Sequence, residues 1–385
     1  MATVKTKKQK KKMSFRWGSM DLPFFIILLV LITFGLVMMF SASYSWGYYE
    51  GDSFSYIRKQ LVIAAVGFAA MIGISMIDYH IFRNKYVAYG IFAVAFLLLA
   101  TVWKFGVTRG GATRWYYIGG TSFQPSELMK FAVIILFAFI ISVNYKKMNK
   151  FMFGIVPFLF VMGVVAGLML LQPHLSGTVI ICTIGVTMMF VGGANWKQLA
   201  AVGLVGAGLL VVGVLVLMEI KGIGYFKERI NGWLDPTSDV QDSTFQTYQS
   251  LLAIGSGGMF GLGLGNSRQK FRYLPESHND FVFSIICEEL GFVGALVVII
   301  LFLLFIFRGF YIASKAKDKF GMMVCTGIIV QIGLQALLNI GVVTNAIPNT
   351  GISLPFFSYG GTALLMQLCE MGIVLNISRQ AQIKS

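Results

Sequence analysis

The sequence predicts an all-α integral membrane protein, a bundle of ten transmembrane helices with both termini cytoplasmic and one large outer loop between helices 7 and 8. Three observations carry this expectation. Of 385 residues, 57% are hydrophobic and only 12% charged, and a mean hydropathy of +0.76 lies beyond soluble domains of ordinary composition. Apolar stretches of bilayer length recur along nearly the whole chain. The net charge of +15 sits in short runs between those stretches, which suits a membrane and not a nucleic acid.

Residues 1–19 read as a basic cytoplasmic tail holding Lys5, Lys7, Lys8, Lys10, Lys11, Lys12 and Arg16. The stretch from Leu22 to Ser43 is about 20 residues long and lacks a small-residue cleavage site, so it is a retained first helix and not a signal peptide. Further apolar spans fall at about 60–77, 86–103, 126–144, 152–171, 175–192, 198–220, 281–307, 321–344 and 359–377. Residues 20–378 thus form one membrane domain, with the outer loop at 221–280 and a short tail at 379–385. Cys182, Cys287, Cys325 and Cys369 all fall inside apolar spans, as small core side chains with no disulfide framework or metal-ligand spacing.

A cytoplasmic N-terminus places Arg83, Lys85, Lys146, Lys147, Lys150, Lys197, Arg308, Lys315, Lys317, Lys319, Arg379 and Lys384 inside. Glu50, Asp52, Asp235, Asp239 and Asp242 then lie outside, in keeping with the positive-inside rule. The exceptions are Lys104, Arg109 and Arg114 before helix 4, and Lys221, Lys227, Arg229, Arg268, Lys270 and Arg272 in the long outer loop. Either local acids and headgroups balance these cations, or they face an anionic substrate on the outer leaflet.

Four stretches carry candidate chemistry. In Gly106 to Lys130, paired glycines and Trp115, Tyr116 and Tyr117 suggest an interfacial loop at headgroup level. Helix 4 then opens on Pro125, Ser126 and Glu127, a normal N-terminus; Lys130, three residues on and one turn deeper, makes the pair either a structural salt bridge or the polar floor of a cavity. In the turn Leu171 to Thr178, the lone His174 reads as a hydrogen-bonding group with no second ligand near it in sequence. Ile254 to Gly265 is glycine-rich but lacks the strand-to-helix context and the GK[ST] ending of a nucleotide site; it is either a re-entrant segment or one that packs backbone against backbone.

The same stretch continues through Glu276, His278 and Asp280 into helix 8. With 100° per residue, Ser284, Cys287 and Gly291 share a face with Asp280, Glu288 is displaced and Glu289 points away. An acid at the mouth of a membrane helix is costly to desolvate, so Asp280 is either solvated at the surface or held in a watery cavity for a purpose. The last stretch, Asn339 to Thr362, is an uncharged outer loop with two prolines and Phe356, Phe357, Ser358 and Tyr359, either a lid-like broken loop or simple helix punctuation.

RWYYIGGTSFQPSELMK, QPHLSGT, QSLLAIGSGGMFGLGLGNSRQKFRYLPESHNDF followed by EELG, and NIGVVTNAIPNTGISLPFFSYGGT together resemble the SEDS family of bacterial cell-wall polymerases, proteins of shape, elongation, division and sporulation. The four occur in the family's order, and the form GISLPFFSYGG resembles the FtsW-like division and sporulation branch. The resemblance implies polymerisation of lipid II into glycan strands at the outer face of the bacterial cytoplasmic membrane, at the division septum. It makes Asp280 the essential acid and sets Glu127 and Lys130 beside the same cavity. It also implies a class B penicillin-binding protein as transpeptidase partner, with other division proteins. One departure is His174, which stands where the family usually has Asp.

The residues fit such a reaction. Converting an α-linked sugar diphosphate into a β-linkage inverts the anomeric carbon, so one displacement and one base suffice. Asp280 is the candidate base, and the departing diphosphate calls for cations such as Arg114, Lys130, Arg229 and Lys270. Glu276, His278 and Ser358 complete the candidate substrate-binding set. No cofactor is required by the sequence and no ligand cluster marks a metal, although a divalent cation, Mg or Mn, would suit the diphosphate. The competing reading is a lipid II flippase, which would also use a polytopic bundle with intramembrane charges but needs a site near the midplane reachable from both sides. A structural scaffold in the division complex leaves the charged outer cleft unexplained.

Overall fold

The computed structural model describes residues 18–109, 112–118, 121–172, 174–219, 232–240 and 244–381. The protein is mostly helical. Among the described residues eight helices are long and apolar enough to cross a membrane: α1 Leu22–Tyr49, α2 Ser55–Ser75, α3 Lys85–Phe105, α4 Pro125–Asn144, α5 Phe151–Leu171, α9 Val282–Lys315, α10 Lys319–Val343 and α11 Gly361–Gln380. Between them lie α6 Leu175–Val191, which is shorter at 17 residues, α7 Trp196–Glu219, and α8 Phe245–Ser256. The helix ends fall within a few residues of the apolar spans in the sequence, apart from α1 and α9, which extend well past them.

Local chemistry explains several of these ends. Asp21 caps α1 by accepting from the Phe24 N–H at 2.9 Å, with Pro23 in the first turn. The same carboxylate takes two bonds from the Arg308 guanidinium, at 2.9 and 2.8 Å, which ties α1 to α9. At that end Asp318 caps α10 through the Gly321 N–H at 3.0 Å. The centre of the bundle is α4 and α10, whose side chains are buried on most sides. By contrast α2 and α3 turn most of their surface outward, as a lipid-facing helix does.

α9 is 34 residues long, about 51 Å at 1.5 Å per residue and too long for one straight crossing. It breaks at Gly291, whose φ of 68° and ψ of −164° only glycine adopts readily. A break strands backbone groups, and here a second segment collects them. Leu262 and Gly263 N–H donate to the carbonyls of Glu288 and Glu289 at 3.0 and 2.9 Å, and Phe292 and Val293 N–H donate to Gly258 and Met259 at 2.9 and 3.1 Å. The glycine-rich run therefore packs backbone against backbone. A Cβ at Gly257 or Gly261 would collide with the carbonyls of Cys287 or Glu289.

Two elements differ from the sequence expectation. The segment read as an interfacial aromatic loop is a three-stranded antiparallel sheet, β1 Val107–Arg109, β2 Ala112–Ile118 and β3 Thr121–Phe123, with Val107 opposite Trp115 and Tyr116 opposite Phe123. The Gly-Gly pairs at 110–111 and 119–120, between β-branched and aromatic residues, are the hairpin signal that marks it. The outer loop is likewise not all irregular: α8 docks beside α9 and α10, with Ser250 Oγ 2.8 Å from Ser284 Oγ and donating to the Val343 carbonyl at 2.8 Å.

Candidate active site

A cavity of about 1070 Å³ opens at one end of the bundle. Its walls come from the ends of α1 and α2, from β2 and the start of α4, from the start of α6, from the turn before α9, and from residues 349–361. Arg114, Glu127, Lys130, Glu276, His278, Asp280 and Ser358 all line it. Seven of the nine candidate site residues, separated by up to 244 positions, thus converge on one chamber.

Asp280 lies two residues before α9 begins. Its backbone carbonyl accepts from Asn339 Nδ2 at 2.7 Å, and the same amide donates to the Ile352 carbonyl at 2.6 Å, so α10 fixes both the acid and the loop facing it. The carboxylate lies against Gly351, where an added Cβ would sit 3.2 Å from Oδ2. The turn carrying Asp280 also bonds outward: the Asn279 carbonyl accepts from Ser358 Oγ at 2.6 Å, and the His278 carbonyl from the Tyr359 N–H at 2.8 Å. The Ser358 hydroxyl in turn accepts from the Leu354 N–H at 2.7 Å, so Ser358 lines the cavity while its hydroxyl holds two loops together.

On the α4 side, Lys130 Nζ bridges Glu127 at 2.8 Å and Gln335 Oε1 at 3.1 Å. The Gln335 amide continues to Ser353 at 3.1 Å. Arg114 Nε donates to the Gln172 carbonyl at 3.0 Å, and Gln172 Nε2 to that of Leu99 at 2.7 Å, which braces the sheet against the turn before α6. His174 caps α6: its Nδ1 accepts from the Gly177 N–H at 3.1 Å, which leaves the ring proton on Nε2 to be donated to Ser126 Oγ at 3.3 Å. Burial, with Arg114 and Lys130 close by, pushes the imidazole down to about 3, so it stays neutral at working pH. His278 is also held below its ordinary value by burial, against the pull of Glu276 and Glu50.

One expectation is corrected and one falls elsewhere. Lys270 does not reach the cavity. Its Nζ is enclosed by Glu289 at 2.9 Å, Ser41 Oγ at 3.2 Å and the Gly265 carbonyl at 2.6 Å, and the residue is 2% exposed. Glu289 points away from Asp280, as expected, and does not line the cavity; it is fully buried there and accepts from Ser41 Oγ at 2.7 Å, between α1 and the outer loop. Arg229 lies outside the described residues.

Polar groups of α10 were not singled out in the sequence, and of these Gln335 lines the cavity. Gln331, Gln335 and Asn339 repeat every four residues, one polar face on an apolar helix, and that spacing is itself the signal. Gln331 Nε2 bonds both oxygens of the buried Glu370, at 3.1 and 3.0 Å. Arg58 and Lys59 join the rim, beside Glu50 and Asp52. Among the described residues no three His, Cys, Asp or Glu side chains gather to hold an ion.

Comparison with known proteins gives one consistent answer. Residues 21–383 match the family model described as Cell cycle protein, FtsW/RodA/SpoVE. The chain is 41% identical over 372 residues to stage V sporulation protein E of Bacillus subtilis (strain 168), covering 96% of this chain and all of that protein. It is 37% identical to the probable peptidoglycan glycosyltransferase FtsW of Geobacter sp. (strain M18), covering 93% and 96%. Among solved structures, a chain described under "Structural coordination of polymerization and crosslinking by a peptidoglycan synthase complex" superposes with a TM-score of 0.78 at 27% identity, covering 94% and 98%. The rod shape determining protein RodA of Thermus thermophilus follows with 0.66 at 25%, covering 95% and 98%. This multi-pass membrane protein belongs to the FtsW/RodA/SpoVE family of cell cycle proteins.

Proposed function

We propose that the chain is a peptidoglycan glycosyltransferase that polymerises lipid II into glycan strands, with Asp280 as the general base. The observation that carries this reading is the single cavity holding Asp280, Arg114 and Lys130 at one end of an otherwise apolar bundle. The acceptor hydroxyl oxygen attacks the anomeric carbon, its proton passes to the Asp280 carboxylate, and the bond to the diphosphate breaks with its electron pair leaving on undecaprenyl diphosphate. One displacement inverts the centre. Arg114 and Lys130 supply positive charge for the leaving group. The names of the relatives support the same activity for this chain.

We further propose that α6 and α7 also cross the bilayer, giving ten spans with both termini cytoplasmic. Arg83, Lys85, Lys146, Lys147, Lys150, Lys315, Lys317, Lys319 and Arg379 all sit at the end opposite the cavity, which supports an outward-facing cavity by the positive-inside rule. The likeness to a peptidoglycan synthase complex supports a class B penicillin-binding protein as partner, and the FtsW relatives support a role in septal wall synthesis with other division proteins.

The test is polymerisation of purified lipid II by wild type and Asp280→Asn, each reconstituted alone and with a cognate transpeptidase. Loss of about 10²-fold or more in the folded, partner-bound Asn variant is expected. Normal polymerisation by Asp280→Asn removes it as the base, and transbilayer movement of lipid II without polymer would favour a flippase.

A further inference from the structure

The cavity is chemically two-sided. Arg114 and Lys130 stand on the β2 and α4 side, while Arg58 and Lys59 stand at the rim on α2. Across from Arg114 and Lys130 the end of α1, the start of α2, the turn before α9 and the loop after α10 bring four rings together. Trp46 and Tyr56 lie 5.5 and 4.9 Å from the His278 ring, and Tyr359 lies 5.1 Å from Tyr56 and 5.8 Å from His278, centroid to centroid. All four line the cavity.

This wall is built rather than incidental. Trp46 Nε1 donates to Ser277 Oγ at 3.0 Å, and the Arg272 guanidinium lies 5.5 Å from the indole on its way to Tyr49 at 4.5 Å. The Tyr359 N–H bonds the His278 carbonyl, and Tyr56 Oη donates to Glu50 Oε1 at 2.9 Å. His278 is 6% exposed, yet its Nδ1 has no hydrogen-bond partner among the described residues, and neither has Asn279 Oδ1 beside it. A buried nitrogen and a buried amide oxygen left open next to a cavity are what a hydroxylated ligand would satisfy.

Charge narrows the ligand. The carboxylates of Glu50 and Glu276 border this wall and accept hydroxyls readily, and Arg58 at its rim is already paired with Asp52. A pyranose has an apolar C–H face to lay on aromatic rings and a polar edge for carboxylate, amide and imidazole. Resting on the glycosyltransferase reading, we propose that Trp46, Tyr56, His278 and Tyr359 form the subsite for the acceptor sugar, the ring whose hydroxyl Asp280 deprotonates. The wall reaches Asp280 through two residues of chain, and the cations for the departing diphosphate stand on the other side.

The experiment uses the full-length protein in lipid nanodiscs. A soluble β-1,4-linked N-acetylglucosamine tetramer is the binding probe, read by saturation-transfer difference NMR, beside initial rates of lipid II polymerisation. Trp46→Ala and Tyr359→Ala are expected to lose the tetramer signal and to raise KM about tenfold, with kcat changed far less. Trp46→Phe and Tyr359→Phe keep a ring and retain both. Tyr56→Leu, at a half-buried position, repeats the test should the alanine variants fail to fold. Wild-type signal and KM in the ring-deleted variants overturn the subsite, as does a wild type that polymerises lipid II without binding the tetramer. Ring-dependent tetramer binding by a wild type that makes no polymer keeps the sugar site and removes the polymerase reading instead.

Discussion

Lys130 meets Glu127 at 2.8 Å on one face of α4, and Lys270 meets Glu289 at 2.9 Å between the outer loop and α9. Both pairs are almost withdrawn from solvent, yet their surroundings differ. Lys130 and Glu127 line the cavity and share it with Gln335 and Asp280. Lys270 and Glu289 are closed on every side by Ser41, by the Gly265 carbonyl and by the Ser267 N–H, which donates to Glu289 at 3.3 Å. Next to them Glu288 accepts from the Arg268 N–H at 2.9 Å. One pair can offer its charge to a ligand. The other spends its charge on holding residues 265–270 onto α1 and α9.

The sharpest test of this difference is a pair of double substitutions. Lys270→Met leaves Glu289 buried without its cation, and a loss of about 3–5 kcal/mol in unfolding free energy is expected. Adding Glu289→Met removes the second charge and should recover most of that stability, with polymerisation returning alongside it. Lys130→Met has the opposite profile: a smaller loss of stability, because Glu127 borders a hydrated chamber, but about 10²-fold less polymerisation. Adding Glu127→Leu does not restore activity. Thermal unfolding and lipid II turnover on the four variants decide it, and rescue of the Lys130 variant by its partner would erase the distinction.

Gly291 sets whether the closed pair exists at all. With φ at 68°, Ala there is strained, and its Cβ would press within 2.6 Å of Met259 O in the segment that collects the broken helix's backbone groups. Gly291→Ala is expected to cost about 1–3 kcal/mol and to raise hydrogen exchange at the amides of Leu262, Gly263, Phe292 and Val293 together. Loss of protection at α4 instead would show that the two regions are not independent.

These contrasts explain how far the sequence could be read. Apolar length located the spans, because bilayer thickness sets helix length whatever the packing. The acids and bases of the cavity were legible where motif and charge coincided, as at Asp280, Glu127 and Lys130. Lys270 was misplaced because a cation in an outer loop carries no mark of which way the loop folds, and the fold here depends on backbone bonds between Leu262, Gly263 and α9. Glu289 does point away from the cavity, as 100° per residue predicts, but helix geometry alone does not show that α1 and the outer loop close over it. The aromatic wall was unreadable for another reason: Trp46, Tyr56, His278 and Tyr359 belong to four separate elements and meet only in three dimensions.

His174 extends the comparison to a single capping side chain. It caps α6 by accepting from the Gly177 N–H, a task that Asp performs equally well, which accounts for a histidine where the resemblance leads one to expect Asp. His174→Ala should cost about 1 kcal/mol and His174→Asp less. The imidazole is pushed down to about 3 by burial. Its stabilising contribution is therefore complete above the unfolded value near 6.5 and is lost as pH falls from there towards 3. Stability measured between pH 4 and 7 should fall on acidification in wild type and more gently in His174→Asn.

His80, at the opposite end of the bundle, has the reverse sign and a smaller effect. Its Nδ1 lies 2.6 Å from Asp78 Oδ1 and its Nε2 3.5 Å from Asp318 Oδ2. The bond to Asp318, with that to Asp78, holds the imidazole above its ordinary value against a burial that favours the neutral form. Asp318 is held down to about 2, since bonds from His80, the Gly321 N–H and Tyr79 outweigh its burial. The contribution of His80 is thus complete below the unfolded value near 6.5 and is lost as pH rises through the higher folded value, while that of Asp318 is lost only as pH falls from about 3.8 towards 2. The side chain is 29% exposed at the edge of the bundle, so screening limits it to under about 1 kcal/mol. His80→Gln should flatten the loss of stability above pH 6.5, weaken the contribution of Asp318 below pH 3.8, and leave the fall between pH 4 and 6.5, set by His174, unchanged; a shift in that middle window would mean that the two ends of the bundle are coupled through α10 and α11.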